Sequence, residues 1–142
     1  MNKNMNEQVL TIEQMQELIA LGIDTSKASM CWFPMMEIDE HMKLVVKSHF
    51  IGVNGIDFDS YWNTIEGQNT IRTFTLQDIL EMLPREVKEH HFILEDNCDE
   101  WDMYYFLSVP DKQIHTIGNI TGKTLLEAAF NMLKWCKQNN YI

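Results

Sequence analysis

The sequence contains few cysteines: only three occur among 142 residues, and they stand far apart at Cys31, Cys98 and Cys136. No CxxC pair is present, so the spacing typical of a zinc ligand set or a redox dithiol is missing. The N-terminus also lacks the basic and then apolar segments of a secretory signal. An odd number of cysteines without such a signal predicts free thiols and a cytoplasmic protein that folds without disulfides.

Glycine, proline, basic residues and long apolar runs are scarce as well. The six glycines and three prolines are too few for a disordered or fibrous chain. No apolar run approaches the roughly 20 residues that span a bilayer, so no membrane partner is expected. Lys and Arg total 11 against 21 Asp and Glu, which gives a formal net charge of −10. Such a chain repels a phosphate backbone on average, so we expect no binding to nucleic acid.

The first third of the sequence carries clear helix signals. Thr11 followed by Gln14 forms a capping-box pattern, and Gly22 suits the residue that follows a helix C-terminus. A turn and then a strand over residues 30–33 are predicted to follow. Because the chain has the length of one domain and is 45% apolar, we expect a single globular domain over residues 1–142.

Residues 35–72 give conflicting signals. Four residues have the spacing of one helix face: Ile38, Met42, Val45 and His49. Residues 44–46 could equally begin a strand, and Asn54-Gly55 predicts a type I′ hairpin. We interpret this region as a variable insert within the domain.

The second half predicts alternating strands and capped helices. Thr75 and Asp78 mark the start of a helix that Pro84 ends, and strands are predicted over 91–94, 103–109 and 113–117. A last helix starts near Thr124, with a capping partner at Glu127. Its apolar face consists of Leu126, Ala129, Phe130, Leu133 and Cys136. The expected fold class is α+β, an antiparallel sheet of hairpins with two to three helices packed mainly on one face.

Three patterns approach known chemical motifs without meeting them. Residues 118–124 resemble a phosphate-binding loop, but only three residues separate the two glycines, so we expect a turn leading into the last helix. Residues 95–102 are rich in acids but lack the glycine of a calcium loop. His90 and His91 are adjacent on a predicted strand and point to opposite faces, so they do not share a metal. We therefore predict no catalytic, cofactor-binding or metal-binding residues.

Aromatic and acidic residues near the predicted hairpin suggest a surface for another protein. In Tyr104-Tyr105-Phe106 alternate side chains face opposite ways, so at least one ring points away from the core. An exposed ring on an acidic surface is typical of a protein-binding patch, although another segment of the same chain could equally cover it. The predicted contact surface comprises Asp99, Glu100, Trp101, Asp102, Tyr104 and Tyr105.

Three blocks of the sequence, residues 18–30, 73–84 and 126–142, together resemble a group of small uncharacterised proteins carried by prophages and conjugative elements of gut anaerobic bacteria. The resemblance implies a mobile-element origin and carries over no functional residues. At the level of fold alone, the strand-strand-strand-helix order of residues 91–138 resembles small antitoxins with a half ribonuclease-H-like fold.

From these observations we expect a non-enzymatic protein-interaction module of mobile-element origin, with an unknown protein as partner. One alternative is an acidic inhibitor or antitoxin-like regulator of a nuclease, whose carboxylates would imitate a nucleic-acid backbone. The other is a small carboxylate-dependent hydrolase, which would need two acids converging in a pocket.

Overall fold

The structure is a computed structural model that describes residues 7–36, 42–48, 70–108 and 114–142. The chain divides into two compact units, one ending at Asp78 and one beginning at Ile79. The described residues form three helices and two antiparallel sheets, so the predicted α+β class is confirmed. The single domain expected over residues 1–142 stays a prediction. No helix within the described ranges is long and apolar enough to cross a membrane.

The first unit begins with a helix whose two ends follow the sequence signals. Helix α1 spans Ile12–Ala20, and the predicted capping box is present, with Thr11 and Gln14 bonding each other's backbone N–H groups. Gly22 follows the helix with a φ of 86°, a left-handed conformation that glycine adopts without steric cost. Its N–H donates to Ile19, and that of Ile23 donates to Leu18, which completes a Schellman motif.

The sheet of the first unit has three strands in the order β2-β1-β3. Strand β1 spans Met30–Met36, β2 spans Met42–Ser48 and β3 spans Ile71–Thr73. The strand predicted over 30–33 is confirmed and continues further. For residues 42–48 the strand interpretation is right and the helical one is wrong. The Asn54-Gly55 hairpin and most of the proposed insert lie outside the described residues.

Buried polar contacts hold the core of the first unit around one backbone carbonyl. The oxygen of Leu10 accepts from Trp32 Nε1 at 3.0 Å and from Thr73 Oγ1 at 2.8 Å. The N–H of Leu10 donates to the carbonyl of Phe74, and all four residues are buried. These bonds satisfy polar groups that would otherwise lose water without replacement.

The Asp78 carboxylate accepts hydrogen bonds both at the start of a helix and from a residue distant in the sequence. It lies in helix α2, which spans Leu76–Met82, and it accepts from the N–H of the N-cap residue Thr75 at 2.9 Å. The same oxygen, Oδ2, also accepts from the backbone N–H and the hydroxyl of Ser29, which is 49 positions away. The helix start predicted from Thr75 and Asp78 is therefore confirmed.

The second unit is a four-stranded antiparallel sheet with one helix against it. The sheet has the order β4-β5-β6-β7, where β4 spans Glu86–Val87, β5 His90–Asp96, β6 Trp101–Leu107 and β7 His115–Gly122. Helix α3, Leu125–Gln138, packs on β6 and β7. Its N-cap is Thr124, as predicted, while the Glu127 carboxylate accepts from the N–H of Lys123 rather than from that of the N-cap.

Strand β7 corrects the prediction of a turn over residues 118–124. The strand continues through Gly122, and only two residues separate it from the first residue of α3. A Cβ added at Gly122 would lie 2.3 Å from the backbone nitrogen of Ala128, so glycine permits the close approach of strand and helix. At Gly118, which has a φ of 63°, a Cβ would lie 2.8 Å from the Trp135 ring. Both glycines therefore serve the packing of α3.

The core of the second unit lies between α3 and the strands. Tyr105 is fully buried, its ring stacks on Trp135, and its hydroxyl donates to the carbonyl of Pro84 at 2.7 Å. Burial raises the pKa of Tyr105, and it also raises that of Cys136, whose sulfur lies 3.8 Å from the same hydroxyl. Within the predicted apolar face of α3, Leu126 is only half-buried, whereas four residues are buried: Ala129, Phe130, Leu133 and Cys136.

Candidate protein-binding surface

The turn between β5 and β6 concentrates negative charge. Glu95, Asp96, Asp99, Glu100 and Asp102 occur within eight residues that contain no Lys or Arg, and we call these five residues the acidic hairpin. All are exposed except Asp102, which is half-buried. The strands extend further into this segment than predicted, because β5 ends at Asp96 and β6 begins at Trp101.

Local hydrogen bonds fix the shape of this turn. The N–H of Asn97 donates to the carbonyl of Glu100 at 2.9 Å, and that of Cys98 donates to Asp96 Oδ1 at 3.0 Å. Cys98 has a φ of 59°, which is uncommon for a residue other than glycine. The Asn97 amide Nδ2 donates to Asp102 Oδ2 at 3.2 Å. The carboxylates are thus held on an ordered hairpin.

The strand register divides the side chains of β5 and β6 between two faces of the sheet. Met103 and Tyr105 lie on the face that α3 covers, and side chains alternate along a strand. The opposite face, which we call the open face, carries six side chains of these two strands: His91, Ile93, Glu95, Asp102, Tyr104 and Phe106. Ile93, Tyr104 and Phe106 are half-buried, so apolar surface on this face remains accessible to solvent.

Two carboxylates stand directly opposite each other on the open face. Glu95 and Asp102 are cross-strand partners in the register of β5 and β6. The Tyr104 hydroxyl donates to Glu95 Oε2 at 2.9 Å, and this bond to the carboxylate raises the pKa of Tyr104. Each carboxylate thus accepts a hydrogen bond from one neutral group, and residues 95–102 contain no Lys or Arg that could neutralise the pair.

A small depression lies beside this pair, between β6 and β7. Its volume is about 180 Å³, and it is lined by Asp102, Met103, Tyr104, Asn119, Ile120 and Thr121. It coincides with a β-bulge, since Met103 pairs with Ile120 but Tyr105 pairs with Ile117. The bulge places both Gly118 and Asn119 opposite the single residue Tyr104. Asp102 Oδ1 is buried and has no hydrogen-bond partner among the described residues.

The predicted contact residues do not all lie on one surface. Asp99 and Glu100 are exposed at the turn, and Asp102 and Tyr104 lie on the open face. Trp101 is half-buried at the end of the face that α3 covers, opposite Gly122. Tyr105 does not belong to a surface at all, because strand alternation turns it into the core under α3.

One polar pair was not anticipated from the sequence. His90 Nε2 lies 2.7 Å from Nδ1 of His115, and His90 Nδ1 lies 2.7 Å from the carbonyl oxygen of Lys88. A carbonyl only accepts, so Nδ1 of His90 carries a proton and its Nε2, in the neutral ring, accepts from His115. As predicted, His90 and His91 point to opposite faces of the strand, since the first is buried and the second exposed. The described residues contain no group of three or more His, Cys, Asp or Glu arranged to hold a metal ion.

Comparison with known proteins gives no match: no family model, curated protein or solved structure is significantly similar to this chain.

Proposed function

We propose that this protein is a non-enzymatic interaction module that binds a basic protein through the acidic hairpin and the adjoining open face. The observation that carries the proposal is the opposed pair Glu95 and Asp102. Like charges directly opposite on neighbouring strands destabilise a sheet, so folding alone does not favour this arrangement. A positively charged group of a partner would be attracted by both carboxylates and would offset the repulsion between them. Departures from such local rules are expected at functional sites.

The charge around this pair supports the same partner chemistry. Five carboxylates on one ordered turn produce a negative potential that attracts and orients a positively charged partner. The overall charge of −10 adds to that attraction at long range. A nuclease with a basic nucleic-acid-binding surface is one class of partner with the required charge.

The apolar side chains of the open face would contribute the rest of the binding energy. Ile93, Tyr104 and Phe106 form a row flanked by Glu95 and Asp102. Aromatic side chains surrounded by a polar rim are typical of binding hot spots. Attraction by charge combined with burial of this row gives both fast association and affinity.

Neutralising the turn tests the proposal. The probe is an oligolysine peptide, and its binding to the wild type and to the Asp99→Asn/Glu100→Gln variant is measured by calorimetry at low and high salt. We expect saturable binding that weakens with salt and a several-fold loss in the variant. The matched control is Glu7→Gln/Glu13→Gln, which removes the same charge from exposed positions of the first unit. If both variants lose the same affinity for oligolysine, the binding depends only on the net charge of the protein, and a localised site is contradicted.

A further inference from the structure

We propose that His90 and His115 together bind one divalent transition-metal ion such as Zn²⁺. The two histidines lie outside the acidic hairpin, and the proposal does not rest on the proposed function. Nε2 of His90 lies 2.7 Å from Nδ1 of His115, and the two rings are inclined by 62° with their centroids 5.0 Å apart. Imidazole nitrogens of this kind are common ligands of zinc, copper and nickel ions.

The register of the second sheet brings the two histidines together, although 25 positions separate them in the sequence. Leu107 of β6 pairs with His115 on one side. On its other side the register places Leu107 opposite His90, because His91 pairs with the preceding residue of β6. Residues in one such row point to the same face of a sheet. The sequence compares His90 only with its neighbour His91, so this pair departs from the expectation that no residue binds a metal.

The turn before β5 orients the ring of His90 as a metal ligand requires. Nδ1 of His90 donates to the carbonyl of Lys88 at 2.7 Å, which leaves the lone pair of Nε2 directed at His115. Metal-binding histidines almost always donate their other ring N–H to a carbonyl or a carboxylate in this way. Lys88 and Glu89 have φ values of 48° and 67°, a left-handed backbone that is unfavourable for residues other than glycine. Strained positions of this kind cluster at ligand-binding sites.

A small movement of the His115 ring would admit the ion. Two imidazole nitrogens bound to a tetrahedral zinc ion lie about 3.3 Å apart, so the pair must open by about 0.6 Å. His115 is exposed at the first position of β7, whereas His90 is buried and held by the carbonyl of Lys88. Because Nε2 of His90 faces this exposed ring, movement of the ring opens a path to that nitrogen. The proton on Nδ1 of His115 then moves to its Nε2 by exchange with water, so the ring stays neutral and Nδ1 can bind.

Two protein ligands define an open site rather than a closed one. They leave two positions of a tetrahedral ion for water or for a group of a partner. The part of the chain that the structure describes offers no cluster of three or more His, Cys, Asp or Glu around an ion. We therefore expect weaker binding than at a four-ligand structural zinc site, and a fold that does not depend on the metal.

Zinc titration of the full-length chain tests the site by calorimetry and by NMR of the imidazole protons. We expect saturable binding of one Zn²⁺ per chain, with the resonances of His90 and His115 shifting together and those of His91 unchanged. Mg²⁺ prefers oxygen ligands and should not cause these shifts. Changing a residue that only supports a ligand already weakens metal binding about 10–100-fold, so His115→Ala should weaken zinc binding at least about tenfold.

Two control variants separate this site from other zinc-binding groups. His91→Ala removes an exposed imidazole from the opposite face of β5 and should leave the zinc affinity unchanged. Cys98→Ser removes an exposed thiol that could itself bind zinc, and it should also leave the affinity unchanged. The amide spectrum of each variant reports whether the fold is retained.

Several results would refute the site. It is refuted if zinc does not bind, or if His115→Ala binds zinc as tightly as the wild type. It is equally refuted if His91→Ala or Cys98→Ser loses as much affinity as His115→Ala. Should His115→Ala fail to fold, the wild type decides, because the site requires the imidazole resonances of His90 and His115 to shift together. None of these results alters oligolysine binding to the acidic hairpin, so this failure is distinguishable from failure of the proposed function.

Discussion

Replacing Gly122 by alanine tests how the second unit is packed. The new Cβ would lie 2.3 Å from the backbone nitrogen of Ala128 and 2.8 Å from its Cα. Ordinary van der Waals contact begins at 3.4 Å, so strand and helix must separate by about 1 Å. A flexible side chain could turn aside, but the atoms met here are the backbone of the first turns of α3.

The expected cost is large because the displaced element carries much of the core. Inserting one carbon into a close-packed contact costs about 1–3 kcal/mol, and a rigid backbone neighbour puts Gly122→Ala at the upper end of that range. A shift of α3 would also loosen the buried contacts of Phe130 and Leu133. We expect a fall of about 2–3 kcal/mol in the free energy of unfolding, measured by urea denaturation followed by circular dichroism.

The control is Asn119→Ala on the same strand, where an exposed side chain is shortened. This change should stay within about 0.5 kcal/mol of the wild type. If Gly122→Ala is also within about 0.5 kcal/mol, strand and helix separate at little cost, and the packing argument is refuted.

Three further results are expected. Phe130→Ala removes a buried ring from α3 and should cost about 3–5 kcal/mol in a denaturant melt. Asp99→Asn at the exposed turn should change stability by at most about 0.5 kcal/mol. If Asp99→Asn were the more destabilising of the two, the turn would be a structured site. A thiol reagent should label exposed Cys98 first and reach Cys136, whose pKa burial raises, only on unfolding. The hydrogen bond that Tyr104 donates to the Glu95 carboxylate raises the pKa of Tyr104. That bond should stabilise the fold at pH values below the pKa of a free tyrosine, and the stabilisation should be lost as the pH rises through the pKa of the folded state. Ultraviolet pH titrations of the wild type and of Tyr104→Phe check this; the reasoning is contradicted if the variant does not lose a tyrosine that ionises above the usual range.

Helix ends were the features best predicted from the sequence, because their determinants are local. The Thr11 capping box, Gly22 after α1 and the Thr124 N-cap each depend on groups within five residues of one another. The apolar face of α3 was predicted for the same reason, since residues spaced by a helical turn lie on one side. Only Leu126, at the start of that face, is less buried than expected.

The course of β7 could not be predicted locally. Gly118 and Gly122 have the composition of a turn, and no neighbouring residue in the sequence indicates otherwise. Both glycines are required by the tertiary packing, because Trp135 and Ala128 of α3 come too close to the strand for any side chain. A glycine that accommodates a packed helix and a glycine that permits a turn are identical in sequence.

The candidate site was located only in part, and strand alternation explains the error. Met103, Tyr105 and Leu107 alternate with Tyr104 and Phe106, so both faces of β6 are apolar and the pattern does not say which one α3 covers. The structure resolves this by burying Tyr105 and leaving Tyr104 on the open face. The opposed pair of Glu95 and Asp102 requires the register as well, which the sequence alone did not provide.

The two faces of the second sheet differ in what they contribute. On one face, Tyr105 and the buried side of α3 form a close-packed core that tolerates no added atom at Gly122. On the other face, two carboxylates oppose each other and one oxygen of Asp102 lacks a donor among the described residues. Because the covered face supplies the stability, the open face can retain an arrangement that is unfavourable in isolation. Neutralising Glu95 or Asp102 should therefore weaken binding without destabilising the fold, whereas changes under α3 should destabilise the fold.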